Sequence, residues 1–218
     1  MFIGHFGLAM ATKKVAPRVS LGTTIFAAIF LDTMWPLFVL AGVEKFEIVP
    51  GITKVTPLDF IHYPWSHSLV MAIAWGALFG ITYWLFARRV RDAVIVGALV
   101  VSHWLLDWLM HRPDLPLYPG EPQGHGLGLW NSVPITLLLE FGFFTAGIYL
   151  FLRCTRARDR VGSIAFWALV AVLAAVYLAA AFGPPPPSVT AVAASSLLAF
   201  LFIAWGWWID RHREPVTT

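Results

Sequence analysis

The chain has 218 residues, of which 59% are hydrophobic and only 12% charged, and its mean hydropathy is +0.74; a soluble domain carries roughly twice that charge fraction. The apolar residues fall in blocks of about 20, the length an α-helix needs to cross about 30 Å of hydrocarbon, so the composition excludes an ordinary soluble fold and predicts an all-α polytopic bundle. The net charge of +3 does not point to nucleic acid, because the basic residues sit in short clusters between the apolar blocks, and the single cysteine, Cys154, excludes a disulfide framework and any multi-cysteine metal site.

In chain order, residues 1–12 are apolar but too short to span. The triplet Ala9-Met10-Ala11 resembles a signal-peptidase site, yet no basic n-region precedes it. A half-helix dipping into the bundle, or lying in the interface, fits this segment better. Six spans follow, at residues 21–42, 67–87, 92–110, 132–152, 162–182 and 189–209. Of the 15 basic residues, 12 lie on alternate connections: Lys13, Lys14 and Arg18; Arg88, Arg89 and Arg91; Arg153, Arg156, Arg158 and Arg160; Arg211 and Arg213. The positive-inside rule then puts both termini on the cytoplasmic side and loops 43–66 and 111–131 outside. The last two spans hold no Asp, Glu, Lys, Arg or His from 161 through 209 and are joined by Gly183 and Pro184 to Pro187. Their Ala and Ser content reads as a scaffold hairpin or an oligomer contact, so a single membrane domain divides into a site-bearing part, 1–152, and a hairpin, 153–218.

Charged groups inside a bilayer are costly enough to mark function. Asp32 lies within the first span, His103 and Asp107 within the third, Glu140 within the fourth, His5 in the N-terminal segment, and His67 opens the second span five residues after His62. At about 1.5 Å rise per residue these side chains fall at middle to outer depth, so the site should open outward, with loop 43–66 able to fold His62 over it. His103 and Asp107 are four apart and share a helix face. Imidazole and carboxylate without thiolate suit a divalent metal, with zinc favoured for hydrolysis. Blander readings exist for single residues. Asp32 before Pro36 could be a kinked-helix carboxylate, Glu140 a partner behind a histidine, and His62 a loop histidine. His111 reads as a rim residue, and His125 and His212 as loop and tail.

An early His, an Asp in the next helix, His62-x4-His67-Ser68 entering a helix and His103-x3-Asp107 in the following one resemble the LexA-binding, inner-membrane-associated metal-dependent hydrolase family over roughly residues 1–150. The resemblance implies a bacterial inner-membrane protein with a metal-hydrolase site akin in pattern to zinc-dependent phospholipases C, with His5, Asp32, His67, His103 and Asp107 as ligands and His62 beside them. Leu31-Asp32-Thr33 stands where the family has a Pro-Asp-x-Asp cluster, and Tyr63-Pro64 where it has Arg-Gly, so one ion or two is open.

The reading is a metal-dependent hydrolase cleaving a phosphoester of a lipid or lipid-linked substrate, with Glu140 or Asp107 handling the proton. The alternative is a metal-ion or proton-coupled transporter, although few polar groups lie in the inner half and no internal repeat is visible. A purely structural protein leaves the buried acids unexplained. A half-helix over residues 1–12 would bring the amine of Met1 to midplane depth, where Asp32 and Glu140 are the available acceptors. In the phospholipases that the pattern resembles, that amine is itself a ligand.

Overall fold

The apolar blocks fold as helices because a backbone in hydrocarbon must satisfy its own polar groups. The computed structural model describes residues 1–122 and 124–216. It is an all-α bundle in which five helices are long and apolar enough to cross a membrane, or six if one bent pair counts as a span.

The N-terminal segment is the half-helix α1, Ile3–Ala11, drawn into the bundle so that His5, Phe6 and Met10 are buried. It lies against α7, Val133–Cys154. The approach is close because both helices offer glycine: an ideal Cβ on Gly147 would stand 2.0 Å from the Gly7 carbonyl oxygen. Small residues allow this contact without a hydrophobic driving force between helices.

The first span is not continuous. It breaks into α2, Leu21–Ala28, and α3, Phe30–Leu40, bent by 54° at Ile29. Pro36 lies inside α3 and leaves the Asp32 carbonyl without its helical donor, but the bend falls seven residues earlier. There the Ala28 carbonyl turns to a side chain of another helix, as described below. The break moves Asp32 from mid-span to the first turn of α3, where a carboxylate meets the positive end of the helix dipole.

The loop after α3 carries an antiparallel ribbon, β1 (Lys45–Ile48) paired with β2 (Leu58–His62), with Phe46 opposite Phe60. A short helix, α4 (Pro64–His67), ends on His67, and α5 (Leu69–Ala87) begins only after Ser68, whose hydroxyl caps it by accepting from the Met71 N–H. Arg88 and Arg89 alone turn the chain into α6, Val90–Met110, which runs back against α5.

After α7 come β3 (Thr155–Ala157) and α8 (Arg160–Phe182). The sixth span is again in two pieces, α9 (Val189–Ser196) and α10 (Ala199–Arg211), and β4 (Arg213–Pro215) pairs with β3. This hairpin does more than brace the bundle from outside. α10 lies along α2, α9 touches α3, and Ser196, Ala199 and Phe202 line the cavity at the centre of the site.

Candidate metal centre

α6 supplies two groups from one face. His103 and Asp107 are one turn apart, and the His103 Nε2 stands 3.1 Å from Asp107 Oδ2. The bend after α2 fixes the ring: His103 Nδ1 donates to the Ala28 carbonyl at 2.8 Å. A carbonyl only accepts, so the Nε2 lone pair is the one turned inward. Asp32 arrives from the first turn of α3, its Oδ1 3.6 Å from His103 Nε2. His67 arrives from the end of α4, its Nε2 3.5 Å from Asp32 Oδ1 and 3.8 Å from Asp107 Oδ2.

Each of the two histidine Nε2 atoms therefore stands near both carboxylates, at N···O separations of 3.1 to 3.8 Å. Bonds of about 2.1 Å to a tetrahedral ion put its ligand atoms about 3.4 Å apart. His5 adds a fifth group, its ring stacked on that of His103 at 3.8 Å. It donates from Nε2 to Asp107 Oδ1 at 3.1 Å and leaves Nδ1 with no partner. Two triads, His5 with His103 and Asp107, and Asp32 with His67 and His103, each offer atoms within 4.8 Å of one another. Buried polar atoms normally find partners, and here His103 Nε2 and His5 Nδ1 are both buried without a hydrogen bond among the described residues. The donor set and the orphaned His103 Nε2 fit a divalent cation.

Two expected groups do other work. Glu140, buried on α7, accepts the N–H groups of Phe2 at 2.8 Å and Gly4 at 2.9 Å, one on each oxygen. It satisfies the free N-terminal donors of α1, which are expensive at this depth, and it does not reach the histidines. The Met1 amine donates to Asp107 Oδ1, so its acceptor is Asp107 where the sequence suggested Asp32 or Glu140. His62 is exposed at the end of β2, paired with Lys45. The ribbon folds Phe60 over the site in its place, 5.6 Å from Trp35 and 5.0 Å from His111 between ring centres.

One group was misplaced by the sequence and three went unseen. His111 is buried, not a rim residue: its Nδ1 donates to Asp114 Oδ1 at 2.9 Å and its Nε2 lies 3.8 Å from Asp107 Oδ2. Burial holds this imidazole below the ordinary histidine value. The stripe 103, 107, 111 was its signal, hidden by the Arg112-Pro113 that follows. Trp35 lines the cavity with a buried indole N–H that has no partner among the described residues. Glu44 and Ser66 lie behind His67 and carried no signal, since acids and serines in a loop look solvated.

The cavity beside these groups has a volume of about 220 Å³. One end is polar, with Asp32, His67, Asp107 and His111, and the rest is walled by Trp35, Phe60, Trp130, Phe6, Ile29 and Phe202. Comparison with family models, with curated proteins and with solved structures finds no match for the chain. The site is therefore read from its own geometry.

Proposed function

We propose that the chain is a membrane-embedded, metal-dependent hydrolase of a phosphoester carried by a lipid or lipid-linked substrate. The observation that carries this reading is the convergence of Asp32, His67 and His103, whose ligand atoms lie within 4.8 Å of one another, with Asp107 Oδ2 3.1 Å from His103 Nε2 and the His103 lone pair without a hydrogen bond among the described residues. The two triads share His103, whose one inward nitrogen serves one ion, so the centre is mononuclear. Zinc suits the donor set. A bound zinc ion supplies Lewis acidity toward the phosphoryl oxygen and a nucleophile at neutral pH.

The chain's own groups do the rest. Asp107 keeps Oδ2 toward the centre while the Met1 amine and His5 hold Oδ1. His111 Nε2, on the cavity wall 3.8 Å from Asp107 Oδ2, keeps its lone pair because Nδ1 donates to Asp114, and it stands where it can hold a proton released at the centre. Glu140 has both oxygens committed to backbone and takes no part in proton transfer. The apolar walls support a lipid, because they suit an acyl or prenyl chain whose ester end lies at the carboxylates. The motif resemblance and the positive-inside pattern support an inner-membrane location with the site facing outward.

Reconstitution tests the reading. The expected outcome is stoichiometric zinc by elemental analysis and release of phosphate or phospho-headgroup from a lipid panel, abolished by chelator and by Asp32→Asn. Cation flux into sealed liposomes without ester cleavage would put a transporter in its place. Protein that takes up no metal would defeat both.

A further inference from the structure

His67 is oriented by a chain of hydrogen bonds that starts on another element. Glu44, 1% exposed in the turn between α3 and β1, accepts the Trp65 N–H at 2.9 Å and the Ser66 N–H at 2.8 Å on Oε1. Its Oε2 lies 2.6 Å from the Ser66 hydroxyl, and that hydroxyl lies 2.7 Å from His67 Nδ1. Ser66 has one proton to give. A carboxylate only accepts, and the other acceptor within reach, the Tyr63 carbonyl at 3.5 Å, is too far to compete. The proton therefore goes to Glu44, the hydroxyl oxygen accepts from His67 Nδ1–H, and the lone pair of His67 is left on Nε2, the atom facing Asp32 and Asp107.

We infer that Glu44 is a positioning residue: through Ser66 it selects the tautomer in which His67 can bind a metal at Nε2. The inference rests on the metal reading above. Partners behind a ligating histidine fix its tautomer and ring orientation in this way. A second role is visible in the same contacts, since Glu44 also caps α4, whose own N-cap residue Tyr63 offers no side-chain acceptor. The two roles separate in E44Q. The amide oxygen keeps the two backbone N–H bonds, but the amide nitrogen now donates to Ser66, turns the hydroxyl proton toward His67 Nδ1, and moves the ring proton to Nε2, where it blocks the ligand lone pair.

The test uses the full chain in detergent with two readouts. Nitrogen NMR of metal-free, histidine-labelled protein reports the tautomer of each ring, and competition with a chromophoric chelator gives the zinc affinity. The wild type should show His67 protonated at Nδ1, and E44Q should show Nε2 protonation with zinc affinity about ten- to a hundredfold weaker at a near-native melting temperature. E44A, which loses the cap too, should also melt earlier. Wild-type His67 protonated at Nε2, or E44Q with unchanged tautomer and affinity, overturns the inference. Wild-type protein that binds no zinc sinks the metal reading instead, and the tautomer comparison in metal-free protein then decides the relay alone.

Discussion

Both ends of the bundle bury charge, but they finish it differently. At the end bearing the β3–β4 ribbon, Lys13 is 4% exposed, donates to the Val19 carbonyl at 2.6 Å and faces Asp210 at 3.5 Å, while Asp210 also accepts the Leu21 N–H. Arg213 spreads its donors over the Thr155 hydroxyl and carbonyl and the Gly162 carbonyl, with its plane over Phe151 and Phe166. Among the described residues, no buried side-chain donor there lacks an acceptor. At the site end, the buried atoms without a partner among the described residues are His5 Nδ1, Trp35 Nε1, His103 Nε2 and Tyr177 Oη. Buried charge with its hydrogen bonds complete works as a clasp. Buried charge with lone pairs left over works as a site, because the fold accepts a cost that only a ligand offsets.

The largest test of that contrast sets one variant from each end side by side. His103→Ala removes the nitrogen common to both triads. It should lower zinc affinity by more than about 100-fold, beyond what partners behind a ligand alone supply, and leave little hydrolysis. Lys13→Met should cost about 1–3 kcal/mol of unfolding stability by stranding the Val19 carbonyl and Asp210, with zinc affinity unchanged. Loss of zinc in the lysine variant would erase the distinction between clasp and site.

A smaller effect is expected where α1 is seated. Gly147→Ala places a methyl 2.0 Å from the Gly7 carbonyl, so α1 must shift and carry His5 away from Asp107. Overpacking of this kind costs about 1–3 kcal/mol, and zinc affinity should fall with it. The control is on the same helix. A Cβ at Gly142 meets nothing within 4 Å, so Gly142→Ala should stabilise by up to about 1 kcal/mol through helix propensity and leave the metal alone. If both variants behave alike, the close contact does not seat the half-helix.

Trp35→Phe sharpens the reading of the unpartnered indole. Phenylalanine keeps the packing against Phe46 and Phe60 and removes only the N–H. If that N–H meets a substrate oxygen in the cavity, KM should rise about fivefold, the worth of one hydrogen bond of about 1 kcal/mol, with zinc affinity and melting temperature steady. An unchanged KM would leave the indole outside substrate binding.

How much could be read in advance depended on whether a residue contrasted with its surroundings. The bundle was legible because blocks of about 20 apolar residues have no other stable fate. Asp32, His103 and Asp107 stood out because an ionisable group inside such a block needs a reason, and the structure does bring them together with His67 and His5. The bend at Ile29 was invisible, since apolar residues flank it on both sides and the Ala28 carbonyl turns to a histidine 75 positions away. Glu140 was legible as a buried acid but not as a cap, because its partners are backbone N–H groups 136 and 138 positions distant. His62 misled because a ribbon decides what folds over the site, and the pairing of Phe46 with Phe60 is set by cross-strand packing that spacing does not report. Glu44 and Ser66 sat in a polar loop, where acids and hydroxyls are expected and carry no contrast.

The smallest effect concerns the clasp and its response to pH. Asp159 is the N-cap of α8: it accepts His212 Nδ1 at 2.7 Å and the Gly162 N–H at 2.9 Å, and these bonds, the histidine's first, hold its carboxyl below the ordinary value. Glu214 on β4 is held down likewise by Arg156. A carboxyl depressed in the folded state contributes stability that is present above its unfolded value of about 4 and is lost as pH falls through the folded one. Asp159 is exposed and Glu214 half-exposed, so water screens them and the change should be local fraying of the ribbon, not global unfolding. Exchange of the Arg158 and Val216 amide protons, which bond to the His212 and Cys154 carbonyls, reports it. Corrected for intrinsic chemistry, both should exchange faster as pH drops from about 5 to about 3. Asp159→Asn, which still caps the helix but cannot titrate, should flatten the Arg158 response and leave that of Val216 to Glu214. Protection at Arg158 that fell with the same pH profile in the asparagine variant would take Asp159 out of the clasp.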